Sequence, residues 1–452
     1  MDIPVQELFG TDGVRGVVGA DLTTETVRRL GAAFGTVLRA GSEAPEVLIG
    51  RDTRVSGPAL ADAVSAGLCG AGVDVVDCGI ITTPGLCLHT RQLAKAGGVV
   101  VSASHNPPEF NGIKLVGATG DKLPDETEGQ IEELIGADDE RAMAASGRMG
   151  QTRQETGHGE AYLELLLSYL DDRHALTGLN LAVDCAWGAA YGLGPEVLRR
   201  AGANVVPIHA APRGELINVE CGALHPQQLA ERVLAERADL GVAFDGDADR
   251  AMFVDECGHV RDGDFIKYIL AVDMQERGAL DPPVVVGTLM TNPGLEMALK
   301  KRGVELLRAP VGDRYVRCEM TRTGAKLGGE QSGHIVLDDL GIGDGLYTTL
   351  RLCQVVAQAG RPLSELSAPV SKVPQILRNV TVRDGYDCQA SGRVPEAVRE
   401  WEQRLGDSGY IVIRPSGTEP LLRIMVAAAD ADLTGQAVDA LVTLILEEGG
   451  TG

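Results

Sequence analysis

Three stretches of the chain repeat one rhythm of apolar and polar positions. Residues 47–50 (VLIG) form a continuous apolar run, pass through a small-residue loop into a helix-like stretch, and return in GAGVDVVDCG. Residues 179–184 (LNLAVD) do the same through GLGPEVLRRAGANVVPIH, and residues 284–287 (VVVG) through NPGLEMALKKRGVELLRAP. Short apolar runs without alternation are strands buried on both faces, as in parallel sheets covered by helices. Each stretch therefore predicts a βαβ unit, and their wide spacing predicts three α/β domains in tandem. Beyond LSAPVSKV at 366–373, the segments NVTVRD, GYIVIRPSG and LLRIMVAAA read as strands, with EAVREWEQRL and GQAVDALVTLILEE as helices. That order predicts a smaller α+β domain. Residues 136–160 are polar and acidic and read as a linker or solvated helix ends, with a second break near Gly258. The resulting domain limits are 1–155, 156–258, 259–370 and 371–452.

Composition narrows the function. The net charge of −23 disfavours nucleic acid or an anionic membrane as partner, because their phosphates would be repelled, while leaving room for a small anion wherever cations converge. MDIPVQELFG has neither the basic region nor the apolar run of a signal peptide. No stretch reaches the roughly 18 apolar residues of a membrane span. The nine cysteines show no CxxC or metal-ligand spacing, which fits reduced thiols in a cytoplasmic protein.

Four stretches carry chemistry. In FDGDADR, residues 244–250, Asp245, Asp247 and Asp249 alternate with Gly246 and Ala248. In an extended segment that spacing puts three carboxylates on one side, and only a cation relieves their repulsion. Oxygen ligands alone select a hard ion such as Mg²⁺. A calcium loop would place a glycine where Arg250 stands, although Glu256 falls at its twelfth position. Ala248 suits the segment as long as its backbone keeps a negative φ. IRPSGTEP, residues 413–420, offers Arg414, Ser416, the Gly417 backbone and Thr418 as anion donors, with Arg423 on the next strand. GGEQSGHI, residues 328–335, brings Glu330, Ser332 and His334 to one face at period two, suited to a polyhydroxylated ligand. VSASHNPPEFNGIK, residues 101–114, sets Ser104 beside His105. Neighbouring side chains in an extended chain diverge, so Ser104 has no base from its own segment. The glycine-punctuated FGTDGVRG at 9–16 carries Arg15 and matches neither a nucleoside-triphosphate nor a dinucleotide loop.

Together these stretches resemble the α-D-phosphohexomutase family from Phe9 to about Met425. GEQSGH, GDRYV at 312–316, GDKLPDETEGQIE at 120–132 and VPQILRNV at 373–380 lean toward its glucosamine-phosphate branch, whereas NPPEFNG is closer to the glucose/mannose branch. The resemblance implies three tandem mixed-sheet α/β/α domains of similar topology and a smaller α+β C-terminal domain, around a central cleft. It implies an isomerase that converts glucosamine 6-phosphate to glucosamine 1-phosphate through glucosamine 1,6-bisphosphate. Ser104 would carry the phosphoryl group as phosphoserine, and one Mg²⁺ per subunit would be held by Ser104, Asp245, Asp247 and Asp249. Glu330 and Ser332 would bind the sugar, and Arg414, Ser416, Gly417 and Thr418, with Arg423 beside them, the phosphate. Proton transfer and charge stabilisation would fall on Arg15, His105, Lys114, Arg250 and His334. A homodimer is common in the family. A phosphomannomutase/phosphoglucomutase shares every one of these catalytic residues, and a magnesium-dependent sugar phosphatase would use the same metal site with water as acceptor.

Overall fold

The computed structural model describes residues 8–10, 12–136, 148–383, 385–390, 392–415 and 421–449. Each of the three predicted apolar runs is a strand: Glu46–Arg51, Asn180–Asp184 and Val284–Thr288. Each leads through a helix (Gly57–Gly70, Ala190–Arg200, Pro293–Lys301) to a strand that pairs beside it in parallel. The physical reason is visible in the first sheet. Val47, Ile49, Val75, Val99 and Val101 enter the core on one face, while Leu48, Val76 and Val100 enter a second core on the other. Successive side chains alternate, yet both faces are covered, so every position is apolar.

The chain divides into two compact units, Met1–Gly263 with Ser332–Leu366, and Asp264–Gln331 with Ser367–Gly452. The first unit holds two sheets. One runs Val14–Val17, Phe110–Gly117, Gly97–Val101, Glu46–Arg51, Asp74–Ile80, Thr152–Gln154, and its first two neighbouring pairs are antiparallel. The second runs Val260–Arg261, Ala251–Asp255, Leu240–Phe244, Asn180–Asp184, Asn204–Ile208. Part of the segment read as a linker therefore has a sheet role: Thr152–Gln154 pairs in parallel with Asp74–Ile80. Arg15 likewise belongs to a strand, opposite Gly112, rather than to a loop.

In the second unit Val284–Thr288 lies between Glu305–Ala309 and Leu327–Gly329, parallel to both. The C-terminal strands Gln375–Thr381 and Tyr410–Pro415 flank Leu421–Ala427, antiparallel to it. Helices Arg393–Leu405 and Ala431–Gly449 close the core of that sheet through Val394, Val438, Leu441 and Ile445. Mixed α/β sheets followed by a small α+β body are the fold class that the apolar rhythm predicts. Among the described residues no helix is long and apolar enough to cross a membrane.

Candidate functional site

The loop between strands Gly97–Val101 and Phe110–Gly117 carries Ser104. It is not extended there: Ser104 has φ +50°, in the left-handed region that costs an L-residue about 1–2 kcal/mol. That turn overturns the divergence expected of Ser104 and His105, whose Oγ and Nδ1 lie 3.3 Å apart. The imidazole is nonetheless no base for the serine. Arg250 Nη1 donates to His105 Nδ1 at 2.8 Å, which occupies the lone pair, while the serine hydroxyl donates to Asp245 Oδ2 at 2.6 Å. Burial, reinforced by Arg250 and Arg15, pulls His105 down to about 4 and keeps it neutral.

Asp245, Asp247 and Asp249 do converge, though not along an extended segment. Residues 245–250 are the turn of a hairpin whose strands Leu240–Phe244 and Ala251–Asp255 pair Phe244 with Ala251. Ala248 takes φ +59°, so the backbone does adopt the conformation that the alanine disfavours. Gly246 is needed for space, because a Cβ there would lie 2.5 Å from the Ser104 carbonyl oxygen. The turn packs that closely on the serine loop. One oxygen from each of the three carboxylates lies within 4.8 Å of the others, and all three residues are buried. Asp247 Oδ1 and Asp249 Oδ1 accept no hydrogen bond among the described residues. Buried, close-set, partly unsatisfied carboxylates are the donor set of a hard divalent cation. Burial and the charges of Asp249 and Asp247 push Asp245 well above the usual carboxylate range.

Cations surround this turn. Lys114, buried on the neighbouring strand, reaches Asp247 Oδ2 at 2.8 Å, Asp12 Oδ2 at 3.1 Å and Asp249 Oδ2 at 3.5 Å. Burial alone would lower its pKa, but these three carboxylates hold the ammonium well above the ordinary lysine value. Arg15 pairs with Asp12 and donates to Asn106 Oδ1 at 3.0 Å. Arg250 gives its backbone N–H to Asp245 Oδ1 at 3.2 Å, and His334 Nδ1 stands 3.8 Å from Asp249 Oδ1. The segment 330–334 turns rather than extends, so period two does not govern it. Ser332 is half-buried in that turn.

In the second unit Glu330 Oε1 accepts the Gly312 N–H at 3.0 Å. Arg414 and Arg423 are direct partners across antiparallel strands, and the Nε of each is buried without a hydrogen-bond acceptor among the described residues. Burial and the charge of Arg423 lower the Arg414 pKa. Two like charges set opposite each other are unfavourable until an anion joins them. Ser416, Gly417 and Thr418 lie outside the described residues.

Four residues of the first site escape sequence reading. Asp12 joins Arg15, Lys114 and Lys122. Thr83 Oγ1 donates to Asp247 Oδ2 at 2.6 Å. Arg54 and Asn218 bond backbone carbonyls of the serine loop. For Arg54 a signal exists, since charged RDTR at 51–54 directly follows an apolar strand. Nothing in the sequence marks Asn218. A second group, Asp184, His209 and Cys221, also has metal-ligand proximity. Its Asp184 already accepts Ala186 N–H, His209 Nδ1 and Gly222 N–H, each within 2.9 Å. Burial and Asp184 push the Cys221 thiol up to about 12, so the group reads as a hydrogen-bonded brace.

The chain matches all four domains of the phosphoglucomutase/phosphomannomutase description: alpha/beta/alpha domain I over 6–142, domain II over 160–258, domain III over 262–373 and the C-terminal domain over 377–444. It belongs to that family. A phosphoglucosamine mutase of Desulforudis audaxviator (strain MP104C) is 45% identical over 442 residues, covering 97% of this chain and 98% of the relative. That of Pelotomaculum thermopropionicum (strain DSM 13744 / JCM 10971 / SI) is 46% identical over 444 residues, covering 97% and 99%. The crystal structure of a phosphoglucomutase/phosphomannomutase family protein from Burkholderia thailandensis superposes with a TM-score of 0.81 at 25% identity, covering 99% of this chain and 98% of the other.

Proposed function

We propose that the chain is a cytoplasmic isomerase that interconverts glucosamine 6-phosphate and glucosamine 1-phosphate through a phosphoserine at Ser104 and glucosamine 1,6-bisphosphate, with one Mg²⁺. The observation that carries this reading is the 2.6 Å hydrogen bond from Ser104 Oγ to a buried aspartate triad, with the one neighbouring imidazole already engaged by Arg250. A serine so placed lacks a hydrolase's base yet lies where its own phosphorylated form would meet a cation. The similarity to phosphoglucosamine mutases along almost the full chain favours glucosamine as the sugar.

Asp245, Asp247 and Asp249, with the Ser104 oxygen, would hold the cation. When bound, Mg²⁺ supplies charge neutralisation at the Ser104 oxygen as its bond to phosphorus weakens. The sugar O1 attacks the phosphorus of phosphoserine, the P–Oγ bond breaks, and of the three candidate acceptors the hydroxyl proton passes to His334, because Lys114 is held as an ammonium and Arg250 engages the His105 Nδ1 lone pair. Lys114, Arg15 and Arg250 offset the charge that spreads over the phosphoryl oxygens. After the bisphosphate turns over, its 6-phosphoryl group returns to Ser104. Arg414 and Arg423, with Ser416, Gly417 and Thr418, hold whichever phosphate is not reacting, and Glu330 and Ser332 address the sugar hydroxyls. One loop would come from each domain, with limits at 1–155, 156–258, 259–370 and 371–452.

The test offers glucosamine, glucose and mannose 6-phosphates in turn, with Mg²⁺ and a trace of the matching 1,6-bisphosphate. kcat/KM is expected to be highest for glucosamine 6-phosphate. Intact mass should show a phosphoryl adduct that Ser104→Ala abolishes together with turnover. Higher kcat/KM on glucose or mannose moves the chain to the other branch, and full activity in Ser104→Ala rejects the mechanism.

A further inference from the structure

We infer that Asn218 and Arg54 are positioning residues for the phosphoryl-carrying serine: together they grip the backbone carbonyls of Ser104 and Asn106 and so fix the left-handed turn that aims Oγ at the aspartates. The inference rests on Ser104 being the phosphoryl carrier. Asn218 Nδ2 donates to the Ser104 carbonyl at 2.8 Å and to the Asn106 carbonyl at 3.0 Å. Arg54 Nη2 meets the same two oxygens from its own side, at 3.0 Å and 2.7 Å, and its Nη1 reaches the carbonyls of Phe110, at 2.9 Å, and Pro107. Both carbonyls are thus held twice, by a donor from strand Asn204–Ile208's following loop and by one from the end of strand Glu46–Arg51.

The grip has a purpose that packing alone does not explain. A serine at φ +50° stays there only if its surroundings over-determine the conformation. The amide and guanidinium bonds hold the carbonyl oxygens of Ser104 and Asn106 in place while the serine hydroxyl donates to Asp245. The grips are themselves pre-set. Asn218 sits at φ +60°, a conformation that asparagine tolerates better than most residues, and its own N–H donates to Ala186 O at 3.1 Å. Arg54 is wholly buried, and its Nε donates to Asp52 Oδ2 at 3.0 Å. Asp52 Oδ2 also accepts from Ser102 Oγ at 2.6 Å, and Ser102 Oγ in turn accepts the Ser104 N–H at 3.0 Å. The serine peptide is therefore anchored at both its N–H and its carbonyl. Neither residue touches the reacting atoms; each acts through the loop.

Asn218→Ala removes the double donor, and Asn218→Asp keeps the shape while facing two carbonyl oxygens with a carboxylate. In full-length protein first phosphorylated with glucose 1,6-bisphosphate, the single-turnover rate of transfer from Ser104 to the sugar phosphate is measured beside KM and melting temperature. Misplacing a reacting group by about 1 Å costs up to about 100-fold, so transfer should slow about 10- to 100-fold in both variants, with KM within about threefold of wild type. Arg54→Lys, which keeps a cation beside Asp52 but loses the fork, should slow transfer likewise. A folded Asn218 variant that transfers within about threefold of wild type overturns the inference. So does a loss carried by KM with the transfer rate unchanged. If neither Asn218 variant folds, Asn218→Gly, which accepts the backbone conformation without the amide, decides by the same rate. Failure of the underlying reading looks different: wild-type Ser104 then takes up no phosphoryl group, or Ser104→Ala keeps full turnover.

Discussion

Lys114 lies amid Asp12, Asp247 and Asp249, and that setting decides what its loss would do. A buried ion pair stripped of one partner costs about 3–5 kcal/mol, because the other charge stays desolvated. Lys114→Met should therefore lower the metal-free stability by an amount of that order, seen as a fall in melting temperature. At the proposed metal site Mg²⁺ would compensate the same carboxylates, so the rise in melting temperature on adding it should be larger in the variant than in wild type. A variant as stable as wild type without metal, or deaf to Mg²⁺, contradicts the shared-carboxylate picture. Residue types at this site were legible because clustered aspartates and an SASHNP corner are chemically unusual. Their contacts were not. The Ser104–His105 approach needs a positive φ that a serine does not advertise, and Asn218 acts through a side-chain amide that most surfaces also carry.

At the scale of elements, the unbroken apolar runs were read correctly as strands, whereas period-two reasoning failed for the loops between them. Val47, Leu48 and Ile49 alternate across a sheet as expected, whereas Asp245, Asp247 and Asp249 meet because a hairpin turn folds them inward. The Arg414–Arg423 pair is the case where an element was read correctly and its energetics follow. Like charges directly opposite on paired strands cost about 0.2–1 kcal/mol. Arg423→Met should thus raise the melting temperature of the free protein slightly. It should also shrink the stabilisation that inorganic phosphate gives wild type, and raise KM for the sugar phosphate about 10- to 150-fold, for a lost charge-assisted bond of about 1.5–3 kcal/mol. Equal phosphate stabilisation in both proteins removes this pair from the anion site.

For the whole molecule, three repeats of one βαβ rhythm gave the tandem architecture directly, because a strand covered on both faces must be apolar at every position. What no rhythm encodes is which loops meet, since that depends on contacts far apart in sequence, such as Lys114 with Asp247. Charge acts at this scale too. With 64 acidic against 41 basic residues, the chain carries −23, and folding concentrates that charge. Raising NaCl from about 10 mM to about 150 mM shortens the screening length from about 30 Å to about 8 Å. Surface repulsion between distant carboxylates should fade, while buried pairs such as Arg54–Asp52, with both side chains fully enclosed, are screened far less. The melting temperature at fixed Mg²⁺ should accordingly rise with NaCl and level off near physiological strength. Chloride is the right anion, because sulfate or phosphate would also bind at the proposed Arg414–Arg423 anion site and mix binding with screening. Arg423→Met should show the same NaCl curve as wild type. A melting temperature that falls with NaCl would mean that exposed ion pairs, such as Arg200 with Glu160 and Glu196, outweigh the net repulsion.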